Sequence, residues 1–145
     1  MAYWLFKSEP GTWSWDDQVA AGSAGTQWDG VRNYQARNNM RDMKKGDEGF
    51  FYHSVGEKSI VGIVRVIGEA HPDSTTDDDR WECVDLAAQR ALERPLTLAE
   101  IKQEPRLAGM VLVNNSRLSV QPVSEDEWKI LCSMARTPAR APGKA

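Results

Sequence analysis

Residues 46 to 70 constrain the fold more than any other stretch of the chain. Glu48 to Ser54 (EGFFYHS) and Ser59 to Ala70 (SIVGIVRVIGEA) are rich in β-branched and aromatic residues, and Val55 to Lys58 between them reads as a hairpin turn. Lys45-Gly46-Asp47 supplies the turn that introduces the pair. A strand with one face in solvent alternates apolar and polar side chains, yet residues 60 to 67 carry apolar side chains at both parities. That strand needs cover on two faces, as in a barrel or a sheet with helices packed over it.

The 145 residues fit one domain of that kind, long enough to bury about two thirds of the unfolded surface without disulfides. Cys83 and Cys132 lie far apart, with no CxxC spacing and no secretory signal before them, so a reduced, cytoplasmic protein is expected. No apolar run approaches the roughly 20 residues of a membrane span, because Ile60 to Ile67 is interrupted by Gly62 and Arg65. A net charge of −3 argues against broad coating of a phosphate backbone. Charge is nevertheless segregated: Arg32, Arg37, Arg41, Lys44 and Lys45 stand against Asp42 alone, while Asp73, Asp77, Asp78 and Asp79 cluster elsewhere.

The remaining elements follow from local signals. Residues 3 to 8 (YWLFKS) suit a first strand that turns polar at its end, and Pro10-Gly11 breaks it. Ser14 with Asp17, Thr97 with Glu100 and Ser124 with Glu127 have capping-box spacing, and each predicts a helix start. Short helical structure is expected at 34 to 43, and a weakly alternating strand at 80 to 92, bounded by Pro95. Met110 to Val113 and Leu118 to Val120 are apolar pieces about a polar bend. Trp128, Leu131 and Ala135 recur at helical spacing and should face the core. The domain is expected to span 1 to 135, and RTPARAPGKA at 136 to 145 reads as a disordered basic tail.

Six tryptophans exceed ordinary usage. Trp28 and Tyr34 stand among Arg32, Asn33, Arg37, Asn38 and Asn39, with Gly30 giving the backbone freedom beside the indole. Aromatic faces interleaved with in-plane hydrogen-bonding groups suit a flat polar ligand such as a nucleobase, although packing and a solvated face account for the same residues. Lys7-Ser8-Glu9 at the end of the first strand adds further donors and acceptors, or plain edge polarity. Other chemistry finds less support. His53 adjoins Ser54, but neighbours on a strand point to opposite faces and make a poor dyad. His71 with Asp73 is too thin for a metal site, and no GxGxxG or phosphate-loop string occurs.

YWLFKSEP near the start, WDGVRNYQARNN at 28 to 39, GDEGFFYHS at 46 to 54, GIVRVIGEAHPD at 62 to 73 and RLSVQPV at 117 to 123 resemble the EVE domain. This is a member of the PUA-like group, similar to the thymocyte nuclear protein family and more distantly to YTH domains. The resemblance implies an α+β, PUA-like fold: a small, strongly bent mixed β-barrel with short helices packed outside. It also implies a pocket for a modified nucleobase flipped out of DNA or RNA, with no cofactor and no metal. Lys7, Ser8 and Trp28 match the YTH pocket pattern, Asn33 or Asn38 matches its asparagine, Tyr52-His53-Ser54 its lining strand, and Trp81 its second wall. Glu9, Val31 and Arg32 complete the implied pocket, and Arg32, Arg37, Arg41, Lys44, Lys45 and Arg117 are the candidates for backbone phosphates. An enzyme acting on a modified base or nucleoside, with His53 or Glu9 as acid or base, and a small-molecule accessory module are the alternatives.

Overall fold

The computed structural model describes residues 1–115 and 117–139. The sheet begins with β1 (Tyr3–Ser8), and a long crossover carries α1 (Trp15–Ala20), the short β2 (Thr26–Gln27) and α2 (Tyr34–Asp42) before β3 (Glu48–His53). β1 and β3 pair in parallel, from Tyr3 opposite Glu48 to Ser8 opposite His53. Parallel neighbours cannot be joined by a tight turn, so the crossover is obligatory, and it contributes most of the candidate site. The predicted hairpin joins β3 to β4 (Ser59–Pro72), which pairs with β5 (Glu82–Thr97). Then follow α3 (Leu98–Gln103), α4 (Val111–Asn114), β6 (Val120–Val123) and α5 (Glu125–Met134).

All three capping boxes form, with Ser14, Thr97 and Ser124 each accepting from the amide three residues on. Of the apolar piece 110 to 113, Met110 is the N-cap and Val111 to Val113 enter the short helix α4, where Leu112 is buried. β5 also runs past Pro95, where a strand end was expected. Its pairing with β4 jumps from Ala91 opposite Gly62 to Leu96 opposite Ile60, so Pro95 falls within a bulge that requires no ladder amide.

The strand order is β2-β5-β4-β3-β1-β6. No pairing among the described residues joins β2 to β6, so where a strongly bent mixed β-barrel was expected, the six strands form an open, bulged sheet. With two residues, β2 is too short to carry a closing ladder. The architecture is mixed α+β.

Burial on two faces is realised as two apolar clusters. Leu5, Phe50, Ile60 and Ile63 pack on one side with Ile101, Trp128 and Leu131. Phe6, Phe51, Val64 and Val66 pack on the other with Trp28, Val31, Ala36 and Met40. The first side is pinned by Trp128, whose ring stacks on Tyr3 at 4.3 Å and on Phe50 at 4.1 Å. Its indole N–H donates to the Ala139 carbonyl at 2.8 Å. Thr137 is buried, its hydroxyl accepts from the Glu93 amide, and Arg90 donates to the Pro138 carbonyl. The first four residues of the expected tail are thus held against the domain, and residues 140–145 lie outside those described. Trp128→Ala is expected to destabilise the fold by about 3 to 5 kcal/mol, read as a shift in the urea unfolding midpoint.

Candidate nucleobase-sized site at the end of the first strand

A cavity of about 480 Å³ opens where β1 ends. Three segments line it: Lys7, Ser8, Glu9, Thr12 and Trp13 after the strand, Thr26 to Arg32 in the crossover, and Ser119 before β6. The first turn is closed by the Thr12 and Trp13 amides, both donating to the Glu9 carbonyl at 2.9 Å. The Ser8 hydroxyl donates to the Trp13 carbonyl. Trp13 in turn donates from its indole nitrogen to Gln18 at 2.9 Å, and Gln18 is buried and donates to the Leu86 carbonyl. That chain of bonds fixes the orientation of the Trp13 ring.

Trp28 is only 8% exposed, yet it lines the cavity. Its ring meets Phe6 and Phe51 edge-on, with centroids at 5.5 and 5.6 Å, and its amide donates to the Val84 carbonyl at 2.8 Å. Packed by edges in this way, the indole is held as a rigid wall.

The rim beyond Trp28 depends on Asp73. This buried carboxylate accepts from the Gly30 amide at 2.9 Å, from Arg32 at 3.0 Å, and from the amide and hydroxyl of Thr75. Gly30 turns at φ 78°, a left-handed conformation in which other residues are strained. Burial alone would push the Asp73 carboxyl up, but the hydrogen bonds from Thr75, Gly30 and Arg32 outweigh it and hold the pKa at about 2. Asp29, inside the cavity, moves the other way: burial and then the Asp73 charge raise its carboxyl, against the opposing pull of Arg32. The Lys7 ammonium is pushed down by burial and then by Lys58, and lies 5.9 Å over the Tyr52 ring.

Of the residues singled out from sequence, Lys7, Ser8, Glu9, Trp28, Val31 and Arg32 line the cavity. The others have different places. Asn33 caps α2 by accepting from the Ala36 amide at 2.9 Å, and Asn38 accepts from Arg37. Tyr52 is buried in the cluster around Trp128. His53 Nε2 accepts from the Trp15 amide at 3.1 Å, which requires a neutral ring, and burial lowers its pKa against the charge of Asp16. Ser54 donates its amide to the Ser8 carbonyl. Trp81 stacks on Tyr34, 5.0 Å away, outside the lining. Sequence reasoning did not name Thr12, Trp13, Thr26, Gln27, Asp29 or Ser119 as site residues, nor Asp73 behind the rim, although Asp29, Asp73 and Ser119 lie inside the motifs that carry the EVE resemblance and the tryptophan excess bears on Trp13.

Among the phosphate candidates, Arg32 pairs with Asp73 and Arg41 with Glu82, whereas Arg37 donates to neutral oxygens. Lys44, Lys45 and Arg117 are exposed. His71, once weighed as a metal ligand, lies 2.8 Å from Asp85, and that hydrogen bond raises its pKa. Among the described residues, no group of three His, Cys, Asp or Glu is placed to hold a metal ion, and no helix is long and apolar enough to cross a membrane.

The depressed Asp73 pKa contributes stability that is present above the unfolded value of 3.8 and lost as the pH falls through about 2. The parent should therefore lose about 2 kcal/mol between pH 4 and pH 2 from this group, a component that Asp73→Asn will lack in acid unfolding curves.

The EVE domain family model matches residues 2–134. Thymocyte nuclear protein 1 of Homo sapiens is 36% identical over 165 aligned residues, covering 92% of this chain and 73% of that protein. A crystal structure of an Agrobacterium tumefaciens protein is 51% identical with TM-score 0.95, over 99% of this chain and all of that one. The human THYN1 protein in complex with 5-methylcytosine containing DNA is 35% identical with TM-score 0.87, over 95% and 99% of the two chains. A YTH domain of Zygosaccharomyces rouxii in complex with N6-methyladenosine RNA shares the fold alone, at 14% identity and TM-score 0.57 over 93% and 86%. With the model match spanning all but the ends of the chain, this protein belongs to the EVE domain family.

Proposed function

We propose that this protein is a non-catalytic reader of a modified nucleobase, flipped out of DNA or RNA into the cavity at the end of β1, in a PUA-like fold. One observation carries the reading: two oriented indoles, Trp13 and Trp28, line one cavity whose other lining side chains, Val31 apart, are polar. Its volume lies within the roughly 300 to 1,000 Å³ of small-ligand sites. A base would present its faces and any methyl group to the indoles, and its edge to Thr12, Asp29 and the acceptor side of the Ser8 hydroxyl. Asp29, its carboxyl shifted up, suits an exocyclic amine as acceptor and, when protonated, a ring nitrogen as donor. The relative solved with 5-methylcytosine DNA supports the same reading and makes that base the first to test.

An acid or base role for His53 finds no support in its position, because its Nε2 lone pair is taken up by the Trp15 amide and the ring lies outside the cavity lining. Glu9 lines the cavity and keeps the enzyme alternative testable. A cytoplasmic location is proposed as well, on the ground that Cys83 and Cys132 are free, buried thiols.

The test is a binding titration with oligonucleotides carrying 5-methylcytosine, 5-hydroxymethylcytosine or N6-methyladenine, and with unmodified controls. Trp28→Ala and Trp13→Ala should each weaken binding of the preferred modified strand by about tenfold or more, with folding verified by circular dichroism. Parent-like affinity in both variants would reject the proposal, and a mass change in a nucleoside incubated with the protein would favour the enzyme.

A further inference from the structure

A second group of aromatic and cationic side chains lies beside the cavity and shares only Arg32 with it. Tyr34, in the first turn of α2, is 51% exposed and stacks on Trp81 with the rings 24° from parallel. Arg37, one turn further along α2, has its guanidinium 4.9 Å from the Tyr34 centroid and 6.0 Å from that of Trp81. Arg32 approaches Trp81 at 5.5 Å, and Arg32 also lines the cavity. The group therefore adjoins the cavity through one shared residue.

Its charges are unequally compensated. Arg32, Arg41 and Arg80 each face a carboxylate: Asp73, Glu82 and Asp78 respectively. Arg37 donates to the Arg80 carbonyl at 2.8 Å and to the Asn38 side chain, both neutral. Among the described residues it has no carboxylate partner, so its charge remains available to a phosphate. Pinning the 73–81 loop to α2 would explain the Arg37 bond to the Arg80 carbonyl. It does not explain a half-exposed Tyr34 ring held flat by a stacked partner, a geometry that leaves an aromatic surface beside a cation at the solvent boundary.

We infer that Tyr34, Trp81 and Arg37 form a second subsite, which takes the nucleotide next to the flipped one, stacking its base on Tyr34 and setting its phosphate against Arg37. This rests on the cavity being the base site. A nucleotide extruded into the cavity stays covalently joined to its neighbours, so a flanking base must pass close to the Arg32 rim. Asp77 and Asp79, on the loop that carries Trp81, disfavour further phosphates beside it.

The experiment compares an oligonucleotide carrying one 5-methylcytosine with free 5-methylcytidine as probes, using Tyr34→Ala, Tyr34→Phe, Arg37→Gln and Trp28→Ala. Tyr34→Ala and Arg37→Gln should each weaken oligonucleotide binding by about tenfold and leave nucleoside binding unchanged. Tyr34→Phe, which keeps the ring, should bind like the parent, and Arg37→Gln should reduce the slope of log affinity against log salt by about one. Trp28→Ala should weaken both probes. If Tyr34→Ala and Arg37→Gln match the parent on the oligonucleotide while Trp28→Ala loses both probes, the second subsite is overturned and the cavity reading stands. If Trp28→Ala also matches the parent, or the parent binds neither probe, both fall.

Discussion

Burial of one sheet on both faces is the constraint on which the rest of the molecule depends. Because successive side chains of a strand point to opposite sides, β1, β3 and β4 each contribute to two separate clusters. Leu5 and Phe50 pack toward Trp128, and Phe6 and Phe51 toward Trp28. The bulges between β4 and β5 bend the sheet so that helices can cover both sides. One cluster is closed by α3 and α5. The other is closed by the crossover, whose irregular segments leave the cavity.

The division also separates the Trp128 stack from the cavity. Trp128 sits in a stack completed by the chain beyond α5, away from the cavity. Trp28 is equally well packed, but its neighbours touch it edge-on and it remains part of the cavity lining. At the end of β1, Ser8 and Lys7 both line the cavity but differ in their partners: the hydroxyl bonds to the Trp13 carbonyl, and the ammonium lies over Tyr52 across the β1–β3 pair.

Much of this was legible in the residues because the signals were local. A serine or threonine with an acidic residue three positions on marked every capping box, and apolar residues at both parities of 60 to 67 announced a doubly covered strand. Trp28 and the Lys7-Ser8 edge, singled out in the sequence, line the cavity. What stayed hidden depends on contacts between distant residues. Asp73 read as one acid in a polar loop, and its role exists only because the fold brings Gly30 and Arg32 to it from more than 40 positions away. Trp13 reaches the cavity through a turn closed by Glu9, and Pro95 continues a strand only because a bulge absorbs it. The amides of Asn33, Asn38 and Asn39 looked like base-reading groups, but Asn33 caps α2, Asn38 accepts from Arg37, and Asn39 ties α2 to the Val120 carbonyl.

The Asp73 clamp has a kinetic corollary. A carboxylate ionised down to about pH 2 keeps Gly30 and Arg32 in place whether or not the cavity is filled. A host whose entrance is already set spends little conformational entropy on capture, so arrival rates should vary little among guests of similar charge. Under the proposed reading, discrimination then resides in residence time, with competing heterocycles told apart by how slowly they escape.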